Sequence, residues 1–107
     1  MLNINGKKYA KNKKEFTESL FNSGGTCEGY YKETKRENYT FVKLYGQNRK
    51  VFAYIKGGIE GYILGTATES GYMFGLCEKD RKKLGVGEGY GEQIDFAESI
   101  IKQLVEA

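Results

Sequence analysis

Aromatic rings and ammonium groups alternate through YTFVKLYGQNRKVFAYIK, residues 39 to 56. Tyr39, Phe41, Lys43 and Tyr45 precede the GQNR turn, and Lys50, Phe52, Tyr54 and Lys56 follow it. Rings held flat at such a spacing make a platform on which unpaired bases stack, at about 1 to 3 kcal/mol per base, while lysines neutralise phosphates. The same residue types suit a protein contact, because Tyr and Lys cover apolar surface with their stems and keep a polar tip in water. A third use for such a face is burial as a second core layer, since exposed aromatic patches of this size are uncommon on monomers.

A second cationic group, Lys79, Arg81, Lys82 and Lys83 in KDRKK, could hold phosphate or an acidic partner. A charged run of this length is ordinarily a solvated turn or helix face. GVGEGYGEQ follows it, beginning at Gly85. Its glycines at 85, 87, 89 and 91 miss the G-x-G-x-x-G spacing, no Lys-Ser/Thr follows as in a P-loop, and Glu88 and Glu92 would repel an anion. A flexible connector or lid is the expectation there.

Catalytic chemistry has little to build on. The chain has no His, which removes Ser-His and Cys-His nucleophile pairs and the common His/Cys zinc sites. Glu88, Glu92 and Asp95 could supply paired acids for a hydrolase, yet carboxylates at the start of a helix also complement its dipole. Cys27 and Cys77 stand far apart and form neither a disulfide framework nor a metal motif, so both are expected as reduced, half-buried thiols. No catalytic residue, metal or cofactor is expected.

At 107 residues, with 39% hydrophobic and 29% charged side chains, the chain has the apolar material for a single domain over residues 1 to 107, without staples. No apolar run nears the roughly 18 residues that span a bilayer, and no apolar stretch follows the basic N-terminal residues; a cytoplasmic protein without membrane contact is expected. Charge is uneven. Residues 1 to 56 hold 12 basic and 5 acidic side chains, residues 57 to 107 hold 5 and 9. Such asymmetry guides an anionic partner to one face or aligns two copies of the chain. In size and composition the chain resembles small accessory proteins of phages and other mobile elements, a resemblance that assigns no residue a role.

The elements that must position these residues read as α+β. Asn5-Gly6 marks a tight hairpin between short extended segments. Asn12, three residues before Glu15, caps a helix burying Phe16, Leu20 and Phe21, which Gly24 and Gly25 end. From Cys27 to Cys77 the texture is β, with short breaks that imply antiparallel neighbours. The segment EQIDFAESIIKQLVEA places Ile94, Phe96, Ala97, Ile100, Ile101, Leu104 and Val105 on one arc of an amphipathic helix. The expected fold is one antiparallel sheet of four to six strands, with the early helix and the C-terminal helix on its aliphatic face.

Pairing through GQNR sets Tyr45 opposite Lys50, Leu44 opposite Val51, Lys43 opposite Phe52 and Phe41 opposite Tyr54. Leu44, Val42, Val51, Ala53 and Ile55 then face the helices, and the rings and lysines face away. The functional expectation is a small non-catalytic binding protein acting through protein–protein contacts, self-association included. Single-stranded nucleic-acid binding by the same face is the alternative, and a small hydrolase a distant third.

Overall fold

The computed structural model describes residues 2 to 21, 27 to 68 and 70 to 106. Asn5 and Gly6 take positive φ of 49° and 85°, as a two-residue hairpin turn requires, and join β1 (Leu2–Ile4) to β2 (Lys7–Ala10). Asn12 Oδ1 accepts the Glu15 N–H at 2.8 Å and opens α1 (Lys13–Phe21). The helix stop expected at Gly24 and Gly25 lies outside the described residues. Strands β3 (Cys27–Lys35), β4 (Tyr39–Tyr45), β5 (Val51–Gly58), β6 (Gly61–Thr68) and β7 (Gly71–Phe74) follow, then α2 (Glu78–Leu84) and α3 (Tyr90–Glu106).

The fold is α+β, but its sheet differs from the expected one. Among the described residues it has seven strands in chain order, not four to six, and it is mixed, not antiparallel. Strands β2 and β3 run parallel, with Tyr9 beside Gly29 and Ala10 beside Tyr30. The reason is α1: a helix inserted between two neighbouring strands carries the chain back to its starting end, so the second strand repeats the direction of the first. The N-terminal ribbon thereby extends the main sheet.

Helices α2 and α3 lie on the aliphatic face. Leu2, Ile4, Val42, Leu44, Ala53, Ile55, Leu64, Leu84, Ala97, Ile100 and Ile101 are buried together there. Helix α3 touches β5 and β6 and also β1 at the far edge, so the sheet curls around it. Val105, expected on the packed arc, is exposed at the end of the helix. Gln103 turns its carboxamide onto β1, where Nε2 donates to Asn3 O at 2.9 Å and Oε1 accepts the Asn3 N–H at 2.7 Å. The amide thus occupies one free edge of the sheet as a strand would.

Helix α1 does not join that layer. Phe16 is buried with Ala10, Cys27 and Tyr30, and Tyr45 packs against this group, while Leu20 and Phe21, expected to be buried with it, are exposed. In the β3–β4 pair Tyr31 faces Leu44 while Tyr30 faces Tyr45, so Tyr30 and Tyr45 point away from the aliphatic core. The early helix therefore covers one end of the opposite face, because its one buried ring meets aromatic partners there.

The charged run 79 to 83, expected as a solvated turn or helix face at the head of a connector reaching Gly91, is helical within α2. Its C-terminal carbonyls are held by the ribbon: Asn5 Nδ2 donates to Leu84 O at 2.7 Å and Lys7 Nζ to Lys83 O at 2.8 Å. Lone carbonyls at a helix end need such partners. Cys27 is buried and Cys77 exposed, both unbridged, where half-burial was expected for each.

Candidate binding face

Strands β4 and β5 meet through a turn in which Gly46 N–H donates to Lys50 O and Arg49 takes a positive φ of 64°. Tyr45 pairs with Val51 and Leu44 with Ala53, leaving Phe52 as the extra residue of a bulge. Beyond it the register is shifted by two residues from the expected one: Lys43 lies beside Tyr54, Val42 beside Ile55 and Phe41 beside Lys56. A shift of two preserves the faces, because strand side chains repeat every second residue.

The bulge moves one residue across. Phe52, expected among the exposed rings, packs against the helix-side core with Lys83 Nζ 4.2 Å from its ring centroid. An inserted residue breaks the alternation, which is how a bulge re-aims a side chain. Val51, expected in the aliphatic layer, is left half-buried at the strand's start. Lys50 lies in the turn and not on the strand.

The remaining predicted residues share one face. Phe41 and Tyr54 stack, with centroids 5.6 Å apart and planes 19° from parallel. Tyr72 of β7 stands edge-on to both, at 5.6 and 5.1 Å. The Tyr54 ring lies directly on Gly65 of β6, where any Cβ would collide with it, so the missing side chain is what lets the ring lie flat. Lys56 Nζ sits 4.4 Å from the Tyr39 ring centre, and Lys32 Nζ of β3 sits 5.3 Å from that of Tyr45. Tyr45 also stacks on Tyr30 at 4.5 Å, which ties it to the patch under α1.

Across β4 and β5 each of these lysines lies beside a ring, whereas across β3 and β4 two cations are neighbours. Lys32 is beside Lys43, Lys43 beside Tyr54, and Phe41 beside Lys56. Neither β4 nor β5 contains an acidic residue. Burial raises the Tyr54 hydroxyl above the ordinary tyrosine range. At one end of the face Tyr39, Lys56, Glu60 and Ile63 border a cavity of about 240 Å³, room for a large side chain.

The second cationic group does not converge. Arg81 bonds Val86 O at 3.1 Å and pairs with Glu88 at 3.3 Å, Lys82 pairs with Glu78 at 3.2 Å, and Lys83 covers Phe52. Arg81 and Glu88 thus tie α2 to the glycine-rich segment after it. Of the three acids weighed for hydrolysis, Glu92 and Asp95 border an open depression whose one hydroxyl is that of Ser99, and Ser99 Oγ donates to Phe96 O at 2.7 Å. Among the described residues no group of three or more His, Cys, Asp or Glu could hold a metal ion. Among them, too, no helix is long and apolar enough to cross a membrane.

Sequence reasoning missed Tyr72 and Lys32. Both lie on strands that were legible, but their membership of the face depends on the register across β3 and across β6. The chain matches no protein-family model, no curated protein and no solved structure.

Proposed function

We propose that this chain is a non-catalytic binding protein whose contact surface is the open face carrying Tyr39, Phe41, Lys43, Tyr54, Lys56 and Tyr72, and that its partner is another protein presenting carboxylates around an apolar centre. The observation that supports this reading most is the unequal cover of the sheet: among the described residues α2 and α3 lie on one side, and α1 alone lies on the other, at one end. A half-exposed ring cluster bordered by cations has the make-up of a contact centre with a charged rim.

The geometry favours a protein partner over stacked bases. Tyr39 and Tyr45 already carry ammonium groups over their rings, and Phe41, Tyr54 and Tyr72 pack on one another. Few ring faces are left free to take a base. Two such faces would also repel if brought together, since each sets lysines against lysines.

The test is retention of protein from a nuclease-treated extract of the source cells by immobilised wild type and by the double variant Lys43→Glu, Lys56→Glu. Wild type should retain a protein that elevated salt releases, and the double variant should lose it while unfolding at the same denaturant concentration. Equal retention by both would refute the assignment to this face. Retention seen only from an extract left without nuclease, with salt-sensitive oligonucleotide binding, would move it to nucleic acid.

A further inference from the structure

The two edges of the sheet are treated differently. Edge strands expose unpaired backbone groups, and proteins usually blunt them with charge, Pro, a bulge or a cover. The β1 edge is covered by Gln103. Strand β7 is the other edge, and its sequence, GYMF, has no charge and no Pro. Among the described residues no strand pairs with its outer side.

Among the described residues that edge also carries the longest run of exposed large apolar side chains. Tyr72, Met73 and Phe74 are 54%, 62% and 68% exposed, and Tyr90 at the start of α3, 66% exposed, lies with its ring 6.5 Å from that of Phe74. Gly75 N–H donates to Leu64 O at 3.1 Å. Alternation along an antiparallel pair then turns Gly71 and Met73 towards β6 and the backbone groups of Tyr72 and Phe74 outwards.

We infer that β7 is a homodimer edge: β7 of a second copy pairs with it antiparallel, about a two-fold axis at Met73. Tyr72 of each copy then lies beside Phe74 of the other, and the outward backbone groups of both residues are satisfied. An uncharged strand is complementary to itself, as a two-fold contact requires, with no like charges brought into opposition. Complete cover of Tyr72, Met73, Phe74 and Tyr90, at roughly 100 to 150 Å² each, would bury about 1,000 Å² over the two copies, the lower limit for a specific interface. The two-fold axis stands across the sheet, so the lysine-bearing faces of both copies lie on one side and form a single surface. The inference is independent of what that surface binds.

Sedimentation velocity over the micromolar range tests it. Wild type should pass from one-chain to two-chain mass with rising concentration, and Met73→Lys should stay at one-chain mass with an unchanged circular dichroism spectrum and unfolding midpoint. Should Met73→Lys unfold, Phe74→Lys reads the same equilibrium, and amide exchange at Tyr72 and Phe74 in wild type should slow as concentration rises. A wild type that remains monomeric throughout, or a dimer that survives either folded lysine variant, would overturn the inference. Lys43→Glu with Lys56→Glu should leave the dimer intact, which separates this contact from the one on the open face.

Discussion

Phe16→Ala is expected to destabilise the protein by about 3 to 5 kcal/mol, the usual cost of removing a fully buried aromatic ring. Phe16 is the one buried side chain of α1. Its ring lies 5.8 Å from that of Tyr30, with the Arg49 guanidinium 5.7 Å from its centre. Without that ring the helix loses its hold on the sheet, and it is also the crossover that keeps β2 parallel to β3. The loss should therefore propagate into the N-terminal ribbon and, through Asn5 and Lys7, into α2. Urea unfolding of the variant checks the magnitude. A change under about 1 kcal/mol would mean that α1 is a surface appendage.

Alkaline pH should expose a second weak point. The Tyr9 hydroxyl is buried in the core with no hydrogen-bond partner among the described residues. Burial, then the charges of Glu28 and Asp80, push its pKa up to about 12. An unfolded tyrosine ionises near pH ~10 while the folded one stays neutral, so between these values the folded state holds the extra proton and stability falls as pH rises. The loss should reach about 2 to 3 kcal/mol once both states are ionised. Tyr9→Phe removes that share and should add about 1 kcal/mol at neutral pH, because a buried donor without a partner costs more than the ring gains from it. Urea midpoints of both proteins at neutral and alkaline pH give the comparison. Parallel pH profiles for wild type and Tyr9→Phe would contradict the assignment.

Much of this architecture could be read from local patterns. Asn5-Gly6 specifies its turn through two positive φ values, the period-two runs mark β3 to β7, and the arc from Phe96 to Leu104 marks α3. The parallel pair could not be read, because nothing in LNINGKKYA or CEGYYKETK says that α1 returns the chain to the same end of the sheet. Helix α2 was hidden for a different reason. EKDRKKL has a single apolar residue, Leu84, so it shows no amphipathic period, and its anchors Asn5 and Lys7 come from the other end of the chain.

For the candidate face, side-chain parity was enough to sort Phe41, Lys43, Tyr54 and Lys56 from Val42, Leu44, Ala53 and Ile55. Parity survives a register shift of two but not an insertion, which is why Phe52 and Val51 were misplaced by the bulge opposite Tyr45. Tyr72 became part of the face only through two successive strand pairings and through the bare backbone of Gly65 beneath Tyr54.

The most direct measurement is the unfolding free energy of Phe41→Ala at low protein concentration, taken beside its retention of the partner protein. If the rings form an open contact surface, stability should change by about 1 kcal/mol while retention is lost, because contact-centre rings contribute to association more than to folding. If they belong to a covered core layer, the variant should lose about 3 to 5 kcal/mol with retention by the folded fraction unchanged, and the open-face reading would be contradicted.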